Sequence, residues 1–277
     1  MKHMKLLSTS MLALVLAGTF ASCKKTSPTD TPQTGLNQDE RSLVMAAGFN
    51  ENWAEKDATG NFLIEGDIYL TKAQLQGMAG TTPSHNLIVA DEEHYRTFNI
   101  VTGTRNITVS LGSGFPAYYS TALDNALARY NSYKLRITFT RVPSGGNIAI
   151  TAANLGTSGG GCILGRASGF PDASGNPSPG FTLSNSSCAT SYINSVDKAD
   201  EVIAHEMGHC IGFRHTDYKK RASCGPGPGE SAGTIGAVHI NNTPTNVSGS
   251  YNSWMMACTN GSPVISAADV IALNEVY

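Results

Sequence analysis

The chain has 277 residues, a formal net charge of −2 at pH 7 and only 14% charged residues. This length allows one or two domains with a sizeable hydrophobic core. Because the lysines and arginines are scattered, the sequence lacks the basic patch that binding to nucleic acid or to an acidic membrane surface would require.

The first 22 residues have the features of an export signal. Lys2 and Lys5 form a basic start, residues 11–18 are a short apolar run, and small residues precede Cys23. The run is too short to span a bilayer, so it does not predict a transmembrane helix. A cysteine directly after such a run resembles a bacterial lipobox, which predicts a lipoprotein signal peptide at 1–22 and a lipid on Cys23. The alternative is ordinary secretory cleavage with a free Cys23.

Lipidation would also decide where the protein resides. More than one acyl chain on Cys23 would anchor it stably to a membrane, which predicts the cell envelope, at the outer membrane or the cell surface. Without the lipid, the protein would be secreted. Residues 23–38 are polar and show no periodicity, so they predict a flexible tether. No later segment is long and apolar enough to enter a membrane.

Residues 39–95 predict an N-terminal segment of mixed character, either a small subdomain or a propeptide. Short helices are expected at 41–49 and 71–77. Between them, residues 62–70 predict one strand that is interrupted at Gly66, since glycine weakens a strand and often marks a bulge.

From residue 96 onward, the hydrophobic pattern predicts strands and helices in a definite order. Apolar and polar residues alternate in the strands, whereas apolar residues recur every three or four positions in the helices. The strands are expected at 106–111, 134–140 and 147–152, with short ones at 162–167 and 181–184, and the helices at 119–133, from about 197 through the motif described next, and at 266–277. The helix caps are expected at Ser120 or Thr121, at Asp197 and at Ser266.

The run from His205 to Asp217 contains the pattern H-E-x-x-H-x-x-G-x-x-H. On a helix, residues i and i+4 share a face, so His205 and His209 can occupy two corners of a zinc tetrahedron. Gly212 lies where a helix commonly ends in a left-handed residue that glycine adopts without penalty. A stop at this point would return His215 to the first two histidines as a third ligand.

Glu206 indicates a catalytic rather than a structural zinc site. Three protein ligands leave one corner for water, and Glu206 follows the first ligand, where it can accept that water's proton. The alternative is an amphipathic core helix that carries exposed histidines. Against it, the apolar residues of the run form a stripe opposite the histidines, so that the helix can pack on a core while the histidines line a cleft. These apolar residues are Ile203, Met207, Cys210 and Ile211.

At these residues the chain resembles the metzincin zinc metalloproteases, and most of all the bacterial family of dual-action HEIGH metallopeptidases. The resemblance implies one α+β domain over 96–277. Its expected parts are a twisted, mostly parallel sheet with an antiparallel edge strand, an active-site helix, a Met-turn and a C-terminal helix. It also implies Zn²⁺ held by His205, His209 and His215, with Glu206 as the catalytic residue.

The segment Ser253–Met255 resembles the Met-turn of these enzymes, in which Met255 would form a hydrophobic floor beneath the zinc. Some metzincins carry a tyrosine two residues past this methionine, but Ala257 occupies that position in this chain. The residue that would stabilise the transition-state oxyanion is therefore open, with Tyr218 and Tyr251 as candidates.

The segment Ile64–Asp67 resembles the propeptide motif of astacin-type metzincins, whose aspartate ligates the zinc and displaces its water. If residues 39–95 are such a propeptide, Asp67 would hold the enzyme latent. The alternative is that Gly66 and Asp67 form a simple bulge or turn in a strand.

In the metzincin fold an edge strand beside the cleft pairs with the backbone of the substrate, as exposed strand edges do with extended peptides. Residues 162–167 are the candidate for this edge strand, and the alternative is a loop that Cys162 rigidifies. Asp217 has two interpretations as well: it would either orient a ligand histidine as a supporting carboxylate or cap a turn.

Five cysteines follow Cys23, and in an exported protein they are disulfide candidates with one left over. We favour Cys162 with Cys188, and Cys210 with Cys224, which would tie the motif helix to the following segment. The sequence alone leaves the connectivity open.

Together these features predict a membrane-anchored, exported endopeptidase that hydrolyses peptide bonds with a zinc-bound water and Glu206 as general base. Its expected partners are a protein or peptide substrate and the membrane reached through Cys23; nucleic acid is not expected, and the protein is expected to be a monomer. One alternative is a non-catalytic, metal-containing surface lipoprotein that acts as a binding or adhesion module. Another is a hydrolase of a non-peptide amide. Glu206 argues against the binding module, because a structural zinc site does not need that carboxylate.

Overall fold

The computed structural model describes residues 35–80, 94–158, 160–225, 227–244, 252–259 and 265–277. The expected signal peptide, the lipidation site Cys23, most of the tether and the oxyanion candidate Tyr251 lie outside these residues. Among the described helices, none is both long and apolar enough to cross a membrane.

The described helices follow the predicted order, with one additional short helix before the motif helix. Their bounds are α1 Gln38–Ala46, α2 Lys72–Ala79, α3 Tyr118–Ser132, α4 Ser187–Tyr192, α5 Val196–Cys210 and α6 Ala267–Val276. Helix α1 begins earlier than the expected 41–49, because Asn37 and Glu40 form a capping box at its start. Ser266 caps α6 as predicted.

Two other predicted caps were wrong. The side chain of Ser195, not Asp197, caps α5 by accepting a hydrogen bond from the backbone N–H of Lys198. Helix α3 begins without a side-chain cap, before Ser120 and Thr121. The N-cap position lies two residues before Asp197 in α5, and at Ala117, three residues before Ser120, in α3.

The strands are short, and most belong to one mixed sheet. Their bounds are β1 Ala54–Lys56, β2 Phe62–Ile64, β3 Ile68–Leu70, β4 Tyr95–Arg96, β5 Arg105–Leu111, β6 Ile137–Val142, β7 Ile148–Ala153, β8 Thr157–Ser158, β9 Gly161–Cys162, β10 Gly165–Ala167, β11 Gly180–Ser184 and β12 Val238–His239. Eight of them form a sheet in the order β1-β2-β3-β10-β11-β7-β5-β6. Outside this sheet, β4 pairs with β12 and β8 pairs with β9.

The sheet confirms the predicted α+β class with mostly parallel strands. Strand β5 pairs in parallel with β6 and β7, and β7 pairs in parallel with β11. Strand β10 is antiparallel to β11. Helices α3 and α5 pack against each other, α3 against β6, and α5 against β10 and β11. The motif helix therefore lies directly over the antiparallel strand.

Helix α3 supports the motif helix through its predicted apolar face. All five apolar residues expected on that face are buried, namely Ala122, Leu123, Ala126, Leu127 and Tyr130. The Tyr130 hydroxyl donates to the carbonyl of Ala204 at 2.8 Å and accepts from the indole N–H of Trp254 at 2.9 Å. This hydroxyl thus connects α3, α5 and the segment of the expected Met-turn.

The single strand predicted over 62–70 is in fact a hairpin. Strands β2 and β3 pair antiparallel, with Ile64 opposite Ile68. The chain reverses between them because Glu65 and Gly66 both have positive φ, 56° and 88°, the combination that tight hairpin turns require. A turn, rather than an interrupted strand, therefore presents Asp67.

Strand β10 is shorter than predicted and is not at the edge of the sheet. Only residues Gly165–Ala167 of the expected 162–167 pair with β11, while Cys162 belongs to the separate β8–β9 ladder. Strand β3 pairs in parallel with the other side of β10, with Ile68 opposite Ala167. The N-terminal hairpin thus pairs with the last residue of the strand that was expected to be open to a substrate.

Two disulfides connect four of the described cysteines. The predicted bond between Cys162 and Cys188 is confirmed, with a Cα–Cα distance of 5.9 Å. The predicted bond between Cys210 and Cys224 was wrong: Cys224 pairs with Cys258, and Cys210 is a buried free thiol. Cys210 lies on the core face of α5, where burial raises the pKa of its thiol. A bond to a surface loop is not within its reach.

This connectivity predicts different outcomes for two alanine variants. Cys224→Ala should release the thiol of Cys258, so that the denatured, unreduced protein gains one free thiol relative to wild type. Cys210→Ala should lose one, because that side chain has no disulfide partner. Thiol titration in guanidinium measures both. A released thiol at Cys224 in the Cys210→Ala protein would contradict the assignment.

Candidate metal centre

Helix α5 carries the first two histidines, and its end determines the position of the third. At Gly212 the backbone has φ +107°, and an added Cβ would lie 3.0 Å from the Thr97 hydroxyl oxygen and 3.1 Å from the Asn99 carbonyl oxygen. A residue with a side chain would be strained and crowded here. The chain turns back at this glycine, where the N–H of Phe213 donates to the carbonyl of Gly208 at 2.9 Å.

Segment 95–97 holds the returning chain in place. The N–H of Thr97 donates to the carbonyl of Gly212, and the N–H of Arg214 donates to the carbonyl of Tyr95, each at 2.8 Å. These backbone hydrogen bonds direct His215 back towards the helix. The sequence prediction that a glycine stop would return the third histidine agrees with this path.

The three histidines of the motif converge through their Nε2 atoms. The Nε2 atoms of His205 and His209 are 3.1 Å apart. Together with one carboxylate oxygen of Asp67, the ligand atoms of His205, His209 and His215 all lie within 4.8 Å of one another. His209 and His215 are buried, whereas His205 is partly exposed.

Each imidazole is oriented through its other ring nitrogen. The Nδ1 of His205 contacts the carbonyl of Trp254 at 2.8 Å, and the Nδ1 of His209 contacts the carbonyl of Phe213 at 2.8 Å. The Nδ1 of His215 contacts the carboxylate of Glu230. Hydrogen bonds to these acceptors fix a proton on Nδ1 and leave each Nε2 lone pair for a metal.

Glu230 is a site residue that the sequence did not reveal. It lies in a glycine-rich loop 15 residues after His215, outside any motif spacing. Burial opposes its ionisation, but His215, Arg221 and Arg214 together lower its pKa to about 2. Asp217, the predicted candidate for this orienting role, instead accepts from the N–H and hydroxyl of Ser223 and from the N–H of Ala257. Of its two interpretations, the turn cap fits.

Glu206 lies beside the imidazoles, buried against the sheet. One of its oxygens, Oε2, is buried without a hydrogen-bond partner among the described residues. Burial raises the pKa of Glu206 well above its usual value; the carboxylate of Asp67 adds to this effect and His215 opposes it. Room for the carboxylate exists because β10 has a glycine at 165, where an added Cβ would lie 2.4 Å from Glu206 Oε1.

Asp67 extends from the hairpin turn into the group of histidines. Its Oδ2 lies 2.6 Å from the Nε2 of His215, 3.4 Å from that of His205 and 3.5 Å from that of His209. Burial alone would raise the pKa of Asp67, but His215 and the other two imidazoles outweigh it and hold the pKa well below its usual value. Its second oxygen, Oδ1, is buried without a partner among the described residues.

A buried charge network surrounds the outer side of His215. One guanidinium nitrogen of Arg214, Nη2, lies 2.7 and 2.8 Å from the two carboxylate oxygens of Glu65. Arg221 donates to the carboxylate of Glu230 and, at 2.9 Å, to the backbone carbonyl of Glu65. Burial raises the pKa of Glu65 to about 8, with Arg214 opposing this rise and the carboxylate of Glu230 adding to it. Two carboxylates thus face two guanidinium groups.

The segment Ser253–Met255 lies beneath the histidines, as the resemblance to a Met-turn implied. Met255 is fully buried, and a Cβ added to Gly208, between the two helical histidines, would lie 2.3 Å from its sulfur. The Ser253 hydroxyl donates to Asp269 of α6 at 2.6 Å. Asp269 also contacts the Nε2 of the buried His94 at 2.6 Å. The floor of the site is therefore joined to the C-terminal helix.

Of the two oxyanion candidates, only Tyr218 belongs to the described residues, and its contacts there are with packing partners. Tyr218 is buried, and its ring packs 5.0 Å from that of Tyr95 and 5.0 Å from the guanidinium carbon of Arg214. These contacts place Tyr218 among the packing partners of the charge network. Tyr251 lies outside the described residues.

The donor set fits a zinc ion. It consists of three imidazoles whose Nε2 atoms converge and whose Nδ1 atoms are already engaged. The orphaned Oδ1 of Asp67 and Oε2 of Glu206 add two buried acceptors that lack partners among the described residues. Buried carboxylates without partners are costly, and a cation together with a water molecule would satisfy them.

Residues 62–277 match a family model of metallopeptidases, which defines the class of the protein. The family is described as "Dual-action HEIGH metallo-peptidase", and the chain belongs to it. No curated protein sequence matches the chain significantly.

Two solved structures entitled "Structure of myroilysin" and "Crystal structure of myroilysin" are similar to the chain. The first has 20% identity over 46% of this chain and 57% of that chain, with a TM-score of 0.32. The second has 18% identity over 65% of this chain and 86% of that chain, with a TM-score of 0.38. The chain thus spans little more than half of the first structure, and likenesses of this size carry no conclusion about function.

The position of Gly165 predicts a sensitive substitution. In Gly165→Ala the new methyl group would displace the Glu206 carboxylate. We therefore expect kcat for peptide cleavage to fall at least about tenfold, because even a small misplacement of a catalytic group lowers the rate strongly. Zinc content should remain unchanged. Gly161→Ala is the matched control, because its nearest added contact is an ordinary 3.7 Å. Full activity in Gly165→Ala would argue against the Glu206 assignment.

The roles of Glu230 and Asp217 can be distinguished by measuring the zinc affinity of variants at each position. Glu230→Gln should weaken zinc binding about 10- to 100-fold, because the carboxylate orients and polarises His215. Asp217→Asn should lower the melting temperature through the lost turn contacts and leave zinc affinity unchanged. Competition with a zinc-chelating dye measures the affinity. The reverse pattern would restore Asp217 as the orienting residue.

Proposed function

We propose that the chain is a zinc-dependent endopeptidase. This proposal is carried by the convergence of three imidazole Nε2 atoms beside the buried carboxylate of Glu206. One oxygen of that carboxylate, Oε2, has no hydrogen-bond partner among the described residues. Neutral imidazoles suit zinc, and three protein ligands leave a coordination position for the reaction. Membership of a metallopeptidase family supports the reaction class.

In the proposed reaction, His205, His209 and His215 would hold the metal. When bound, zinc would lower the pKa of a water molecule towards neutrality and polarise the scissile carbonyl. Glu206 accepts a proton from the water molecule while the water oxygen adds to the carbonyl carbon. It then gives that proton to the amine nitrogen as the C–N bond breaks. The raised pKa of Glu206 suits a group that must hold a proton between these two steps.

Met255 would act as the hydrophobic floor of this centre. Its contact with Gly208 fixes the helix between the two helical ligands, and Trp254 accepts the hydrogen bond that orients His205. Strand β10 would form the wall along which an extended peptide pairs, which favours cleavage within a chain.

Replacement of Glu206 tests the proposal. Glu206→Gln preserves shape and should retain zinc binding, but it cannot accept the proton, so we expect turnover of casein or a peptide library to fall by about two to four orders of magnitude. A chelator should abolish wild-type cleavage, and added zinc should restore it. If the wild type shows no chelator-sensitive cleavage under activating conditions, the binding or adhesion module becomes the better hypothesis.

The binding module is disfavoured by the burial of Glu206. A carboxylate buried without a hydrogen-bond partner costs about 1–3 kcal/mol or more, and a protein that only binds through this domain would gain nothing in return. An apolar residue of similar volume would be more stable at this position.

We further propose that Asp67 keeps the enzyme latent. Its carboxylate lies among the three imidazoles, and β3 occupies the side of β10 where a substrate would pair. In this proposal the same hairpin would block both the metal position, through Asp67, and the end of the substrate wall at Ala167. This arrangement supports the propeptide interpretation of residues 39–95 over a turn without function.

Asp67→Ala should raise the peptidase rate of the full-length protein several-fold, because the imidazoles and the open coordination position are no longer covered. The remaining pairing of β3 should keep the rate below that of a fully activated enzyme. Asp57→Ala, in the same hairpin region but bonded to Thr59, Asn61 and Tyr69, serves as control. An unchanged rate in Asp67→Ala would remove the latency proposal.

We also propose that the protein is exported, with lipid at Cys23 anchoring it in the cell envelope as a monomer that acts on a protein or peptide. The two disulfides support an oxidising compartment. Metabolic labelling with a radioactive fatty acid, compared between wild type and Cys23→Ala, distinguishes lipidation from ordinary secretion.

A further inference from the structure

The charge network consists of Glu65, Arg214, Arg221 and Glu230, and of these the proposed hydrolysis uses only Glu230, which orients His215. Three of its members belong to the chain that follows α5, and Glu65 alone comes from the N-terminal hairpin. Glu65 and Arg214 are each only 1% exposed. Without Glu65, two guanidinium groups would face a single carboxylate, and one positive charge would be left without a partner in a buried place.

The backbone of Glu65 is arranged to deliver its side chain into this network. Its φ is +56°, a left-handed conformation that costs a side-chain-bearing residue about 1–2 kcal/mol and that glycine or asparagine would adopt more easily. The turn itself therefore does not need a glutamate. A glutamate at this position is explained by its contacts: its carboxylate binds Arg214, and its backbone carbonyl accepts from Arg221.

The pocket around Arg214 is well defined. The guanidinium group donates to the carbonyls of Gly236, at 2.9 Å, and Ser231, at 3.2 Å. Its carbon lies 5.7 Å from the centre of the Phe170 ring, which also packs edge-on against His209. The other contacts of Arg214 Nη2 are with two carboxylates, the nearer that of Glu65, at 2.7 and 2.8 Å, and the more distant that of Glu230, at 3.5 Å.

This position adjoins the centre where a peptide bond would be cleaved. Asp67, two residues after Glu65, contacts the histidines, and the next residue, Ile68, pairs with Ala167 of β10, two residues past the glycine against which Glu206 lies. A peptide substrate must pass through the same space, because it has to reach both Glu206 and the imidazoles. A peptide that replaced the hairpin turn would bring a side chain near the position that the Glu65 carboxylate occupies beside Arg214.

We propose that Arg214 forms a specificity subsite for an acidic side chain next to the scissile bond. Glu65 occupies this subsite as long as the β2–β3 hairpin is in place. The inference rests on the proposed peptidase function. A buried guanidinium group without an anion is costly, so a substrate glutamate or aspartate regains what the departure of Glu65 removes. A neutral side chain leaves Arg214 with Glu230, at 3.5 Å, as its remaining carboxylate contact, and sites built for a charged partner reject neutral analogues strongly.

Matched peptides test the subsite in the full-length chain. Quenched fluorescent peptides would carry either Glu or Gln at each of the positions flanking the cleaved bond, and the enzyme would carry Asp67→Ala. We expect kcat/KM to be about tenfold or more higher for Glu than for Gln at one of these positions. Arg214→Lys, which keeps the charge but loses the planar guanidinium, should reduce this ratio. Equal rates for Glu and Gln at every position would overturn the proposal.

Removal of Glu65 gives a second, more specific measurement. With Glu65→Ala added to Asp67→Ala, KM for the Glu peptide should fall several-fold while KM for its Gln counterpart changes little, because the subsite no longer has an internal occupant. Glu55→Ala is the matched control: Glu55 lies in β1 of the same sheet and bonds to Ser158, not to Arg214. A fall in KM that is equal for both peptides would indicate mere loosening of the hairpin.

A binding experiment separates this proposal from the peptidase proposal. In Glu65→Ala, acetate should raise the melting temperature more than acetamide at equal concentration and ionic strength, and wild type should show no such difference. If no peptide is cleaved but acetate stabilises the variant, the peptidase proposal fails and the anionic subsite stands. If acetate and acetamide act alike, the subsite proposal fails whatever the activity.

Discussion

The metal centre depends on the close approach of two backbones at Gly212. Its positive φ ends the motif helix, and the absence of a side chain lets Thr97 and Asn99 lie against the turn. Only this approach allows segment 95–97 to hold the returning chain. If the turn were wider by the radius of a methyl group, His215 would miss the other two imidazoles, and Glu230, Arg214 and Glu65 would lose their common position.

The second constraint is charge. The centre concentrates Asp67, Glu206, Glu230 and Glu65 in a buried volume, and that many carboxylates are tolerable only when cations accompany them. The two arginines supply part of this charge, and the proposed zinc ion supplies the rest. Latency, catalysis and the proposed substrate preference therefore all depend on which anion faces which cation, within one small region.

The sequence predicted the elements that depend on local chemistry. The spacing of histidines on one helical face, the glycine that ends the helix and the apolar face of α3 follow from helical periodicity, and the structure has them in place. The α+β class was predicted from alternation and from the resemblance carried by the motif. The sequence could not predict contacts between distant segments, because these depend on how loops return to the core.

Glu230 and Glu65 illustrate this limit. Each lies in a loop without periodicity, and nothing in its neighbours marks it as a partner of His215 or Arg214. The predicted bond between Cys210 and Cys224 was wrong for the same reason, because Cys224 meets Cys258 through the path of a long loop, whereas Cys210 lies on the buried face of its helix. The hairpin at 62–70 was mistaken for one strand because Glu65, unlike glycine, gives no sign of a positive φ.

The short length of β10 has a consequence for the behaviour of the protein in solution. If the hairpin leaves, the freed side of this strand offers only the backbone groups of Gly165–Ala167 to a neighbour. Long, flat edge strands invite other chains to add to the sheet and lead to aggregation, and very short ones are a known protection. A strand of this length can guide a peptide through the cleft without recruiting a second copy of the enzyme, so solubility and access to substrate do not conflict.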